Sequence, residues 1–221
     1  MTTNADVLEH QLIFDLQRQR GYYWDGKKGQ YVSKWNGQPV KNSTVLAHVE
    51  RFNLDYVQSN IDGLTQRFID GKIELSEWQT KVALELKQAH VINLQIGKGG
   101  QANTTFSDYG RIGSRLRFQY QRLNMFANQI ATGIPSEMTT GQIKYRASMY
   151  AKSVRSSYFA GLTQAKREAG FSEEHRYTTS TEPCDNCVAT EQRGWQPIGT
   201  LPDPGVDCLG YTNCKCYKEY R

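Results

Sequence analysis

Apolar residues recur at intervals of three and four along most of the chain, the spacing that lines one face of an α-helix. Val7, Leu8, Leu12, Ile13 and Leu16 predict a short helix within residues 5–20. A longer stripe, Val45, Val49, Phe52, Tyr56, Ile61, Leu64 and Phe68, predicts a helix from about Asn42, with a capping residue in Asn42-Ser43-Thr44, to near Gly71. Trp78, Val82, Leu86 and Ile92 mark another over 74–96, which the glycines of Gly97-Lys98-Gly99-Gly100 should stop. Ile112, Leu116, Tyr120, Leu123, Phe126 and Ile130 give a third long helix over 107–132. Ile143, Ala147, Tyr150, Val154, Tyr158, Leu162 and Ala165 give a fourth over 140–169, closed by Gly170.

Two stretches depart from this period. Residues 21–40 alternate aromatic and β-branched residues around Asp25-Gly26 and Asn36-Gly37, which predicts a β-hairpin. Tyr22, Tyr23, Trp24, Tyr31 and Trp35 could stack nucleotide bases, but such aromatics more often glue a hairpin to its neighbour. After Gly170 the segments become short and polar, with Tyr177–Thr181 reading as a strand and residues 194–205 too rich in glycine and proline for a helix. The expected fold is therefore mainly α. It is an elongated helical bundle or set of helical hairpins, with an N-terminal β-hairpin and a small C-terminal α+β cysteine-rich module. The divisions fall at 1–41, 42–170 and 171–221.

Composition narrows the class. The chain has 221 residues, 38% of them hydrophobic, and a mean hydropathy of -0.66, so it should fold without staples throughout. The first residues lack a basic export signal and no apolar run approaches the ~20 residues of a membrane span, so a soluble protein with no membrane contact is expected.

The net charge of +5 is unevenly placed. Residues 111–170 hold ten Lys and Arg against Glu137 and Glu168, which is +8 and leaves -3 for the rest. That excess suits an acidic partner such as nucleic acid, although two solvated helices would look the same. Arg111, Arg115, Arg122, Arg146 and Arg155 lie largely off the apolar stripes and are the candidates for nucleic-acid or partner contact.

All five cysteines follow position 183. Cys184-x-x-Cys187 has the bite of a metal knuckle, and Cys208, Cys214 and Cys216 return about twenty residues later. Four thiolates would hold one structural zinc ion, two from the knuckle and two from the later three, in a reducing compartment. Two disulfides with one spare thiol are the alternative. A redox role for the Cys-x-x-Cys is disfavoured because no thioredoxin-like α/β setting surrounds it. His175 could replace a thiolate but lies well before the knuckle. The Gly97–Gly100 stretch lacks the full phosphate-loop pattern, and His10, His48, His90 and His175 are scattered, so no catalytic residue and no enzyme activity is expected.

The run Tyr177-Thr-Thr-Ser-Thr-Glu-Pro-Cys-Asp-Asn-Cys187, then Gly194-Trp195, Leu201-Pro202 and Thr212-Asn-Cys-Lys-Cys216, resembles the phage head morphogenesis family named after the F protein of phage Mu. The resemblance covers about residues 142–217. It departs from the family's His-Pro-x-Cys-Arg-Cys ending, where Tyr211-Thr212-Asn213 stands instead and Cys208 could take the histidine's place. It implies a minor head protein made in the host cytoplasm and carried in multiple copies in the virion. The place implied is the head interior or portal vicinity, with the portal, other capsid proteins and packaged DNA as neighbours and a role in assembly, packaging or ejection.

Overall fold

In the computed structural model, residues 21–134, 136–207 and 214–221 are described. The helix expected within residues 5–20 and Cys208 lie outside them. The chain forms an elongated, mainly helical bundle with a β-hairpin at one end of the sequence and a small sheet beside a cysteine cluster at the other.

Strands β1 (Tyr22–Asp25) and β2 (Gln30–Ser33) pair antiparallel with Trp24 opposite Tyr31. Asp25 shapes the turn, its Oδ1 accepting from the backbone N–H of Lys27 at 3.0 Å. The aromatics dock the hairpin. Buried Tyr31 donates its hydroxyl to the Ile96 carbonyl at 3.0 Å, and the Trp24 ring lies where a Cβ on Gly99 would stand, 1.9 Å from it. Trp35 alone of the expected stacking residues is almost fully open, at 86% exposure.

The first long stripe forms a continuous but irregular helix. Helix α1 (Asn42–Phe52) passes through a π-helical stretch, Asn53–Gln58, into α2 (Ser59–Ile69). None of Asn42, Ser43 and Thr44 is the cap, because the helix already begins at Asn42 behind Lys41. The wide turn lets Val57 follow Phe52 on the buried face after five residues, leaving Tyr56 at its edge. It also holds Asn53 against Asn93, where each carboxamide donates to the other, at 3.1 and 2.9 Å, inside the core.

Helix α3 (Leu75–Lys98) runs through Gly97 and ends at Gly99, whose φ of 81° is the left-handed conformation glycine adopts freely. Helix α4 (Phe106–Thr132) starts with a capping box between Thr105 and Asp108. The fourth stripe is broken. Helix α5 (Thr140–Ser153) stops at Val154 and α6 (Arg155–Glu168) follows. Ser153 Oγ donates to the Tyr150 carbonyl and Ser156 Oγ to that of Ser153, the back-bonding that bends helices. Helix α3 packs along α6 and α4, and α2 along α5. Trp78 sits at the centre of the core, its ring 5.7 Å edge-on from Phe126 and its Nε1 donating to Thr65 Oγ1 at 3.1 Å. Among the described residues no helix is long and apolar enough to cross a membrane.

The C-terminal sheet is antiparallel, in the order β4 (Gln196–Pro197), β3 (Glu173–Tyr177), β5 (Tyr217–Tyr220). The strand thus precedes the expected 177–181 and ends where that was to begin. Its inward residues are charged, which is why the alternation signalled nothing: Glu174, Arg176 and Lys218 are all buried.

Candidate metal centre

Three elements bring the cysteines together. Helix α7 (Asp185–Gln192) begins directly after Cys184, which is extended at its N-cap, and Cys187 lies in its first turn. The Cys187 N–H donates to the Cys184 carbonyl at 2.9 Å, and the two sulfurs stand 3.3 Å apart. The pair therefore sits at a helix start rather than in an isolated turn. Its setting is an antiparallel sheet beside an eight-residue helix, without the parallel α/β frame of thioredoxins.

Cys214 and Cys216 arrive on the approach to β5. The sulfurs of Cys187, Cys214 and Cys216 all lie within 4.8 Å of one another, each residue buried, and partly buried Cys184 packs against them. Four thiolates around zinc at about 2.3 Å stand roughly 3.8 Å apart, so this cluster is near the spacing a metal requires. His175 is not part of it, since its Nε2 meets the Glu191 carbonyl at 2.9 Å and its ring lies 4.1 Å from that of Tyr177.

Two arginines hold the cluster's frame. Arg155, at the start of α6, donates through Nη1 to the Cys214 carbonyl at 3.1 Å and through Nη2 to that of Cys216 at 2.9 Å, while pairing with Glu50 at 3.0 Å. This fork ties both carbonyls to one guanidinium, and the two sulfurs lie within 4.8 Å of each other. Thr179 Oγ1 donates to the intervening Lys215 carbonyl at 2.8 Å. Arg176, wholly buried on β3, donates to Cys187 Sγ at 3.2 Å and to Asp207 Oδ1 at 2.5 Å. Asn186 ties the same segment to α7, its Nδ2 donating to the Asp207 carbonyl at 2.9 Å.

The electrostatics favour thiolate at Cys214. A hydrogen bond from Cys216 pulls the Cys214 thiol well below the ordinary range, with the positive fields of Arg155 and Arg176 assisting. The Cys216 thiol is pushed up, first by that same hydrogen bond to anionic Cys214 and then by burial. Two cationic guanidiniums beside a thiolate set balance the charge such a set brings into a low-dielectric place.

Of the arginines expected at a surface, Arg155 is corrected to an internal clamp, only 9% exposed. Arg115 is ion-paired to Asp203 of the C-terminal module, and Arg111 pairs with Asp108 and meets Gln164. Arg122 lies 4.4 Å over the Phe118 ring and Arg146 4.3 Å over the Phe126 ring, with no carboxylate partner among the described residues. Arg176 carried no sequence signal as a cluster residue, because a lone arginine in a polar strand reads as exposed. The Ser157 hydroxyl and His90 Nδ1, 2.7 Å apart, resemble a nucleophile–base pair but are sealed between α3 and α6.

Comparison of the chain with protein-family models, with curated proteins and with solved structures finds no match.

Proposed function

We propose that the protein is a non-catalytic, zinc-stabilised nucleic-acid-binding protein. The observation that supports this best is the convergence of three buried cysteine sulfurs, with Cys184 beside them, on a frame held by two arginines. Cys187, Cys214 and Cys216 would supply three ligands and Cys184 the fourth, leaving Cys208 dispensable. The ion would cross-link α7 to the approach to β5, so its role is structural. The excess of positive charge over residues 111–170 supplies the attraction for a polyanion.

Elemental analysis of purified protein should find about one zinc per chain. The loss should follow Cys184→Ser, Cys187→Ser, Cys214→Ser or Cys216→Ser and not Cys208→Ser. Less than about half an equivalent of metal, with the fold intact in chelator, would overturn the site. Fluorescence anisotropy with labelled DNA should show affinity that falls steeply with salt.

A second reading places this activity in a phage head, near the portal. It is supported by the motif residues that carry the family resemblance: Tyr177, Cys184, Cys187, Cys214 and Cys216 belong to one compact unit, clamped by Arg155 to the helical body. Mass spectrometry of purified particles should then detect the chain in a few copies per head. Its absence from mature and immature particles would retire this reading.

A further inference from the structure

The end of helix α4, the residues after it and the start of helix α5 line a cleft of about 410 Å³, with Gln129, Ser136, Met138, Gln142, Tyr145 and Arg146 at its wall. From residue 109 to 167 the sequence contains a single carboxylate, Glu137, among ten basic residues. The cleft therefore lies in the most positive part of the chain. Arg146 at its wall is supported from below by the Phe126 ring, and its Nη1 meets Met138 Sδ at 3.2 Å. Arg122, two turns before Gln129 on α4, is exposed over the Phe118 ring. Burial raises the Tyr150 phenol, and the charges of Arg146 and Arg122 pull against it.

Three arginines of helices α4 and α6 are held by carboxylates. Arg111, Arg115 and Arg155 each have a carboxylate partner, whereas Arg122 lies over an aromatic ring and Arg146 over a ring and against Met138, neither with a carboxylate partner among the described residues. A guanidinium fixed flat on a ring keeps its edge donors free and pays little entropy when it grips a phosphate. The Tyr145 ring, 64% exposed at the cleft, offers an open aromatic face, with Gln129 and Gln142 lining the cleft beside it.

The geometry points to this cleft as the seat of a single nucleic-acid strand, with Arg122 and Arg146 on successive phosphates and Tyr145 stacked on an unpaired base. The inference rests on the nucleic-acid reading above and gives it a place and a strandedness.

The test is anisotropy of the full chain with a labelled oligothymidine and with a labelled duplex. Arg122→Gln, Arg146→Gln and Tyr145→Ala are compared with Arg51→Gln, an exposed arginine on α1. Each cleft arginine variant should bind the single strand several-fold more weakly and lower the salt slope by about 0.7. Tyr145→Ala should cost about tenfold against the strand and far less against the duplex. Arg146→Gln also loses packing on Phe126, so thermal melting accompanies it, and the exposed Arg122 and Tyr145 variants decide the outcome. Wild-type binding that these two leave as strong as in Arg51→Gln would overturn the cleft while sparing the nucleic-acid reading. Tighter binding to duplex, indifferent to Tyr145, would overturn the single strand. No binding of either probe at low salt would overturn the nucleic-acid reading and the cleft with it.

Discussion

Helices α3 and α6 cross at a contact that only glycine permits, and the same substitution made elsewhere should act with the opposite sign. A Cβ built on Gly161 would lie 2.2 Å from the Leu94 carbonyl oxygen, and one on Gly97 would lie 2.1 Å from that of Tyr158. Ordinary contact begins near 3.4 Å, so Gly161→Ala or Gly97→Ala must part the helices by roughly 1 Å. Both obstacles are backbone atoms, so no rotamer change relieves them. The displaced surface includes Ile96, Tyr158 and Leu162 of the main core, together with the Tyr31–Ile96 hydrogen bond that docks the hairpin. Overpacking of this kind costs about 1–3 kcal/mol, and the backbone clash places it at the upper end. At about 2–4 °C per kcal/mol for a chain of this size, each variant should melt about 6–12 °C lower. Gly63 on α2 and Gly110 on α4 have nothing within 4 Å of a built Cβ. Gly63→Ala and Gly110→Ala should therefore stabilise by about 0.5–1 kcal/mol through helix propensity alone. Thermal melting followed by circular dichroism measures all four. Gly161→Ala or Gly97→Ala melting within a degree of wild type would refute the close crossing.

Three further predictions concern the polar interior. Burial, with Arg115 contributing, pushes His90 down to about 3, so the unfolded chain binds a proton near pH 6.5 that the folded one refuses. Its contribution is intact above the unfolded value and is lost as pH falls, by about 2 kcal/mol at pH 5, and urea titrations of His90→Gln should show a shallower loss over that window. Arg155→Lys keeps the charge but cannot span the carbonyls of Cys214 and Cys216, and should weaken zinc retention about 10–100-fold in competition with a chromogenic chelator; unchanged retention would dismiss the clamp. Lys218→Met leaves Glu174 buried without a cation, and Asp203 with Arg115 alone, and should cost about 3–5 kcal/mol in denaturant unfolding, with Glu174→Gln/Lys218→Met recovering part of it.

The bundle was legible because its helices hide apolar stripes, and period alone reveals those. What escaped were features whose cause lies in a partner. The π-helical stretch accompanies Asn53 meeting Asn93, forty residues on, and nothing in the local sequence distinguishes it from an ordinary turn. The break at Val154 coincides with the Ser153 and Ser156 hydroxyls, which composition allows anywhere on a helix. The knuckle was legible from cysteine spacing, and the meeting of Cys187 with Cys214 and Cys216 agreed with it. Arg155 was misplaced by the same logic that placed the other arginines, since its position off the stripe means exposure only if nothing packs there. The C-terminal module packs there, and the cation turns inward to its carbonyls.

The same inward turn of charge marks the rest of the C-terminal module. Its sheet turns Glu174, Arg176 and Lys218 inward, and its separate buried cluster consists of cysteine sulfurs. Lys218 Nζ reaches Glu174 Oε2, Asp203 Oδ1 and the Leu201 carbonyl at 2.9–3.0 Å, and Leu201 N–H donates to Glu174 Oε1 at 2.7 Å. Such a network fixes one geometry for the 201–203 loop against the sheet, but buried ion pairs return little net stability over apolar packing. Apolar burial supplies only part of the remainder, through Leu201 and through Tyr217 and Tyr220 packed against the main core. A thiolate-bound ion joining α7 to the approach to β5 would supply the rest without enlarging the core. The charged network would then set which way the module folds, and the metal would make that arrangement stable.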